Sequence, residues 1–169
     1  MSLKKISRRS FIKQSTFVGA SVALLPSKMS AVKDSSLKLR LGVIGTGLRG
    51  QWMTHLCMLR GDVDIRAICD IDHEMINATL NIIKKSGNKP PDIYKKNEHD
   101  FLNLVNRNDI DAVYIATPWE WHHEMAVAAM KSGVHVGTEV PAALTVEECW
   151  DLVNTSEKTG KLFFFNNLK

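Results

Sequence analysis

Three glycines and an aspartate have the spacing needed to hold a dinucleotide. Gly45, Gly47 and Gly50 follow the apolar segment 39–44 in a G-x-G-x-x-G pattern, and Asp70 stands 20 residues after the third glycine. In the dinucleotide-binding fingerprint the first glycine permits a tight turn, the second lets the backbone approach a pyrophosphate, and the third lets the helix pack closely. The acid accepts hydrogen bonds from the ribose hydroxyls and repels a 2′-phosphate. The pattern therefore predicts NAD as the cofactor, in preference to NADP.

These residues need strands and helices in alternation to position them, and the sequence provides that order. The pattern predicts five helices. The first begins near Gly50, the second begins after the capping residue Asp72, and the third is capped by Asn97 with residues 101, 102, 104 and 105 facing inward. The fourth runs from about 121 to 132, and the fifth begins at the capping box of Thr145 and Glu148. Apolar runs predict six strands, at 39–44, 63–69, 93–94, 112–116, 134–137 and 162–165. We expect an α/β fold with a doubly wound parallel sheet of the Rossmann type and strand order 3-2-1-4-5-6.

Further candidate site residues follow the fourth and fifth predicted strands. Because ligands of such sheets bind beyond the carboxyl ends of the strands, these positions are expected to face a cofactor. They are Trp119, Glu120, Trp121, His122, Glu139 and Val140. Three of them have a simpler alternative: the two tryptophans as core aromatics, and Glu139 as a charge at a strand end without a ligand.

Composition and charge narrow the classes of partner. The formal net charge is +4, but residues 1–36 contain seven Lys or Arg and one Asp, a net of +6, so the remainder carries 4 − 6 = −2. A mildly acidic domain lacks the basic face of a nucleic-acid-binding protein. His122 and His123 are adjacent, whereas zinc ligands on one helix stand four residues apart, and the three cysteines are scattered. We therefore expect no nucleic-acid partner and no metal.

The N-terminal segment has the pattern of an export signal. Residues 7–13, Ser-Arg-Arg-Ser-Phe-Ile-Lys, resemble the twin-arginine signal. The weakly apolar stretch 14–25 is shorter than the roughly 20 residues needed to span a bilayer, so no stable membrane span is expected. We expect a signal segment over 1–31, a linker over 32–36 and an NAD-binding domain over 37–169. Such a signal implies export to the periplasm or beyond.

Several motifs together resemble one oxidoreductase family. The glycine turn, Ala-Thr-Pro at 116–118 with His122, and Glu139-x-Pro141 are similar to the signatures of the Gfo/Idh/MocA family. Within that family, residues 117–122, Thr-Pro-Trp-Glu-Trp-His, and 137–143, Gly-Thr-Glu-Val-Pro-Ala-Ala, resemble the glycoside hydrolase family 109 branch of NAD-dependent α-N-acetylgalactosaminidases. These two blocks are more specific than the glycine turn.

The resemblance implies roles for individual residues. Leu48 and Arg49 would lie over the pyrophosphate; the alternative for Arg49 is a solvated residue at a helix start. The segment 119–122 would lie along the cofactor, and Glu139 and Val140 would border the nicotinamide. Val140 stands where the family's dehydrogenases have a lysine, and valine has no hydrogen-bonding group for a reacting hydroxyl.

The hydrolase branch implies a particular reaction on a small-molecule glycoside. NAD would oxidise the C3 hydroxyl of the sugar, the glycosidic oxygen would leave by elimination, water would add, and the same cofactor would restore the hydroxyl. This route of oxidation, elimination, addition and reduction differs from the two-carboxylate route of most glycosidases.

The chain ends before the larger part that the resemblance implies. Family members carry a C-terminal α/β substrate domain, in which catalytic residues are expected, and the resemblance fades near Lys161. We expect a truncated chain that lacks this domain, is inactive alone and has a tendency to self-associate. Two alternatives remain: an NAD-dependent sugar dehydrogenase of the same family, and a non-catalytic NAD-binding remnant.

Overall fold

One parallel sheet of six strands forms the centre of the fold. The structure is a computed structural model that describes residues 38–166 of the chain, so the predicted signal and linker lie outside the described residues. The strands are β1 Leu39–Ile44, β2 Val63–Cys69, β3 Asp92–Tyr94, β4 Ala112–Ile115, β5 His135–Glu139 and β6 Phe163–Asn166. Their order is β3-β2-β1-β4-β5-β6, and every neighbouring pair is parallel. The predicted doubly wound topology is confirmed.

Five helices and one 3-10 turn connect these strands. They are α1 Leu48–Arg60, α2 His73–Lys85, α3 Phe101–Val105, the 3-10 turn Trp119–Trp121, α4 His122–Lys131 and α5 Val146–Thr159. The Asp72 side chain accepts hydrogen bonds from two backbone amides in the first turn of α2. The predicted capping box of Thr145 and Glu148 begins α5, and Gly160 ends that helix in the left-handed conformation.

Apolar side chains cover both faces of the sheet. Along β4, Val113 and Ile115 belong to one buried cluster, whereas Ala112 and Tyr114 belong to the other. The first cluster is completed by α3 and α4, and the second by α1 and α2. Successive strand residues point to opposite faces, so helices on both sides are needed to bury them.

Two local predictions are wrong. Asn97 does not cap a helix: its side chain accepts a hydrogen bond from the backbone nitrogen of His99 in a preceding turn, and α3 begins four residues after Asn97. This local turn competes with the helix for the same backbone groups. Leu102 is exposed rather than turned inward. The helix predicted from about Trp121 is present and begins one residue later, at His122, after the tighter 3-10 turn over residues 119–121.

The outer edge of the sheet exposes apolar side chains. Phe164 and Phe165 on the edge strand β6 are each 57% exposed, and Trp150 on α5 is 63% exposed. An unpaired strand edge with exposed aromatic residues favours association with another chain. The self-association expected from the sequence stays a prediction. Separately, none of the helices within residues 38–166 is long and apolar enough to cross a membrane.

An arginine at the opposite end of the sheet joins two loops. Arg107 Nε and Nη2 each donate to one oxygen of the Asp109 carboxylate at 2.7 Å, and Nη1 donates to Asp92 at 2.6 Å. The hydrogen bonds from Arg107 hold the pKa of Asp109 below its usual range. Through Asp92 and Asp109, Arg107 links the start of β3 to the turn before β4.

We expect Asp109→Asn to lower the free energy of unfolding by about 1 kcal/mol at pH 7, since the ion pair is partly exposed. Because the pKa of Asp109 is lower in the folded chain, its contribution is complete above about pH 4 and is lost as the pH falls through the folded pKa. Urea unfolding from pH 7 down to the lowest pH at which the chain is folded measures this difference. Asp62→Asn, in the more exposed pair with Arg60, is the control. An equal loss at every pH would contradict the assignment.

Candidate functional site

A cavity opens at the carboxyl ends of β1, β2 and β4. Its volume is about 480 Å³, and its walls combine the glycine turn with the end of β2 and the loop after β4. Six of the predicted site residues line it: Gly45, Gly47, Leu48, Arg49, Asp70 and Trp121. This is the crevice in which open α/β sheets bind their ligands.

The glycine turn has a different steric requirement at each glycine. Gly45 has a φ of 88°, and a Cβ there would lie 2.6 Å from the backbone of Ala116. A Cβ on Gly50 would lie 2.0 Å from the carbonyl oxygen of Gly45, so α1 approaches the turn as only glycine allows. A Cβ on Gly47 would meet no atom within 4 Å. Gly45 and Gly50 therefore shape the turn, and Gly47 faces open space where a ligand fits.

The start of α1 leaves backbone donors available beside the cavity. Gly47 precedes the helix in an extended conformation, without a side-chain cap and without an acidic residue in the first turn. The first amides of a helix have no partner within the helix and carry its partial positive charge. An anionic group such as a pyrophosphate is favoured at such a helix start.

Asp70 stands at the end of β2 and is held from two sides. One carboxylate oxygen accepts hydrogen bonds from the backbone nitrogen of Thr46 at 2.5 Å and from its hydroxyl at 2.9 Å. The other oxygen accepts one from the backbone nitrogen of Asp72 at 3.0 Å. A carboxylate has about four acceptor positions. Asp70 is therefore fixed in orientation and keeps acceptor capacity toward the cavity that it lines.

Arg49 and Glu139 form an ion pair across the strand ends. Arg49 Nε donates to Glu139 Oε1 at 2.7 Å, and its guanidinium lies 4.7 Å from the centre of the Trp52 ring. The Tyr114 hydroxyl and the Asn166 amide also donate to Glu139. Burial raises the pKa of Glu139, but these hydrogen bonds outweigh it and bring that pKa below the usual range. Burial and the bond to Glu139 raise the pKa of Tyr114.

The Trp-Glu-Trp-His segment divides between surface, cavity and core. Trp119 is 61% exposed, and Glu120 is exposed as well. Trp121 lines the cavity and packs edge-on against the His99 ring. His122 is fully buried, with one ring nitrogen 2.7 Å from the carbonyl oxygen of Pro141 and the other 2.8 Å from that of Thr117.

The structure thus separates the predicted site residues into six that line the cavity and six that do not. Gly50 lies behind the turn, and five further positions do not line the cavity: Trp119, Glu120, His122, Glu139 and Val140. Glu139 ends β5, which extends two residues beyond the predicted strand. Its carboxylate is directed into the ion pair with Arg49, and Val140 beside it is 42% exposed.

Other residues in the cavity wall or directly behind it were not predicted from the sequence. Thr46 is fully buried and holds Asp70, yet its position is unspecified in the G-x-G-x-x-G pattern. Thr117, Met125 and Cys69 line the cavity itself. Burial raises the pKa of the Cys69 thiol to about 12 and so keeps it protonated. Across residues 38–166, no three His, Cys, Asp or Glu side chains form a group that could hold a metal ion.

The fold and the glycine turn define a Rossmann domain that takes NAD. The profile of the GFO_IDH_MocA family, described as an oxidoreductase family with an NAD-binding Rossmann fold, matches residues 39–167. The chain therefore belongs to the Gfo/Idh/MocA oxidoreductase family.

Individual relatives are similar over most of this chain. A glycosyl hydrolase family 109 protein from Saccharopolyspora erythraea is 42% identical over 151 residues, which are 87% of this chain and 33% of the relative. An α-N-acetylgalactosaminidase from Tannerella forsythia is 43% identical over 173 aligned positions, covering 91% of this chain and 37% of the relative. The chain thus spans about a third of the length of the curated relatives it matches.

Solved structures share the same fold. The crystal structure of an NAD-binding protein from Listeria innocua is 26% identical, with a TM-score of 0.64 over 76% of this chain and 35% of that one.

Two alanine substitutions distinguish the glycine that leaves room for a ligand, Gly47, from one that shapes the turn, Gly50. Gly47→Ala adds a Cβ in open space at an allowed backbone conformation, so we expect the stability to change by less than about 0.5 kcal/mol and NAD affinity to fall at least about tenfold. Gly50→Ala collides with Gly45 and is expected to cost about 2 kcal/mol or more in stability as well. Denaturant unfolding and calorimetric titration with NAD measure both effects. Unchanged NAD affinity in Gly47→Ala would contradict the assignment.

Proposed function

We propose that this chain is the NAD-binding part of a glycosidase similar to α-N-acetylgalactosaminidase, acting on a small-molecule glycoside by oxidation, elimination, addition and reduction. The observation that carries this proposal is the similarity to the Tannerella forsythia enzyme over 91% of the chain. It extends through the segments 117–122 and 137–143, which follow β4 and β5 at the carboxyl end of the sheet. The family's oxidoreductase character agrees with a role for NAD in the reaction.

The cavity residues fit the cofactor. The open space at Gly47 and the first amides of α1 suit the pyrophosphate, and Leu48 and Arg49 lie at the same helix start. The fixed carboxylate of Asp70 suits a ribose hydroxyl. Trp121 adds an aromatic wall.

The residues at the end of β5 favour the glycosidase over a simple dehydrogenase. When bound, NAD supplies a hydride acceptor and donor. Val140, exposed beside Glu139, has no group that could hold a substrate hydroxyl or take its proton. Glu139 is ionised and occupied by Arg49, Tyr114 and Asn166. Val140 stands where the resemblance implies a lysine in the family's dehydrogenases, and this difference disfavours the alternative of a sugar dehydrogenase. In either reaction the proton of the substrate hydroxyl would have to be taken by a group other than Val140.

The charge of Asp70 is expected to set the choice of cofactor. The full chain should bind NAD at least about tenfold more tightly than NADP, because the 2′-phosphate would face a like charge. Asp70→Asn should reduce this preference. Asp72→Asn is the matched control, since asparagine also caps a helix and the same cavity loses one charge. Calorimetry with both nucleotides measures the ratio. Equal affinities in the unaltered chain would contradict the role of Asp70.

The 169-residue chain by itself is expected to give no glycosidase turnover. Hydrolysis needs a base near the C2 proton and an acid at the leaving oxygen. Among the described residues at the strand ends, both ring nitrogens of His122 contact carbonyl oxygens and Glu139 is ion-paired. A chromogenic α-N-acetylgalactosaminide with added NAD provides the assay. Turnover that disappears on Gly47→Ala substitution would contradict this expectation and would favour a complete active site over a non-catalytic NAD-binding remnant.

We also propose that the chain is exported by the twin-arginine pathway to the periplasm or beyond. The Ser-Arg-Arg-Ser-Phe-Ile-Lys segment supports this. Replacing both Arg8 and Arg9 by lysine should retain a reporter fused to the full chain in the cytoplasm, with NAD binding unchanged. Cell fractionation measures the distribution, and continued export of the altered fusion would contradict the proposal.

A further inference from the structure

His122 has an unusual environment for a fully buried histidine. Its Nδ1 lies 2.7 Å from the carbonyl oxygen of Pro141, and its Nε2 lies 2.8 Å from the carbonyl oxygen of Thr117. A carbonyl oxygen only accepts hydrogen bonds, so each contact is a hydrogen bond only when that ring nitrogen carries a proton. A neutral imidazole has one N–H group, whereas the imidazolium has two. Both distances are typical of charge-assisted hydrogen bonds.

The two carbonyl groups belong to different loops of the site. Ile115 and Thr138 are the last residues paired between β4 and β5. Beyond them, Thr117 lies in the loop that lines the cavity, and Pro141 lies in the loop that follows Glu139 and Val140. The His122 ring therefore joins the two loops where the strands no longer hold each other.

We propose that His122 is a positioning residue: as an imidazolium it ties the loop after β4 to the loop after β5 and so holds the wall of the NAD cavity. Loss of one ring proton would remove the donor from one of the two carbonyl groups and release its loop. NAD affinity is then expected to fall as the pH rises. The inference rests on the NAD site described above.

The other charged groups on the elements around His122 contact other side chains or are exposed to solvent. His123, the next residue, contacts Asp151 on α5 at 2.9 Å, and Glu124 lies 3.8 Å from His99. Glu120 precedes the ring in the 3-10 turn and is exposed. Two further acids are held within their own networks: Glu139 by Arg49 and Glu148 in the capping box of α5. The two carbonyl oxygens are the hydrogen-bond partners of the His122 ring.

The protonation state of the ring can be measured without any substitution. In the full chain labelled with ¹⁵N-histidine, NMR should detect N–H protons on both ring nitrogens of His122, assigned by comparison with the His122→Gln spectrum. Spectra recorded across the pH range in which the chain stays folded follow the loss of the second proton. Calorimetry across the same range should show NAD affinity falling together with that proton.

Variants separate this ring from the other histidines. His122→Gln should bind NAD about tenfold more weakly than the unaltered chain at low pH and should lose the pH dependence. His123→Gln is the matched control, because it removes a neighbouring ring that contacts only α5 among the bonds described, and it should bind NAD with the unaltered pH profile. If His122→Gln does not fold, the NMR spectrum and the NAD titration of the unaltered chain test the role of His122. The His122 signals are then assigned by elimination, from the spectra of His123→Gln and of the other single histidine variants.

Distinct results would overturn the inference and the NAD site. A His122 ring with a single N–H throughout the folded range, or NAD affinity that does not follow the second proton, would overturn the positioning role while leaving NAD binding intact. An unaltered chain that shows no NAD binding at any pH would overturn both. Two ring protons together with matching pH profiles would support the role of His122.

Discussion

The close approach of α1 to the turn after β1 is the constraint on which the site depends. A Cβ on Gly50 would lie 2.0 Å from the Gly45 carbonyl oxygen, and one on Gly45 would lie 2.6 Å from the Ala116 backbone. The close backbone packing at these two glycines fixes the start of α1 relative to both β1 and the end of β4. The cavity, the first helical amides and the open space at Gly47 all follow from this arrangement, because each is formed by backbone that the glycines hold in place.

Polar side chains then connect the loops at the ends of the strands. Thr46 holds Asp70 between β1 and β2, Arg49 reaches Glu139 at the end of β5, and His122 joins the loops after β4 and β5. Each contact is buried or partly buried, so its hydrogen bonds compete less with water than surface contacts do. The three connections together span the carboxyl edge of the sheet, and they explain how short loops without secondary structure keep one arrangement around a cofactor.

The sequence predicts the architecture well because local patterns determine it. Strand order follows from alternating apolar runs and the handedness of crossovers, and caps such as Asp72 and the Thr145 box are visible within four residues. The partners of site residues are not visible in this way, since Arg49 and Glu139 are 90 positions apart. Asn97 fails for a local reason, as the same side chain that favours a helix cap also favours a turn.

The central claim is that the glycine turn and Asp70 hold NAD in the cavity at the end of the sheet. A crystal structure of the full chain grown with NAD tests this most directly. We predict electron density for the pyrophosphate beside Gly47 and the first turn of α1, with a ribose hydroxyl within hydrogen-bonding distance of the Asp70 carboxylate. Density for NAD at another surface, or a ribose that makes no contact with Asp70, would contradict the claim.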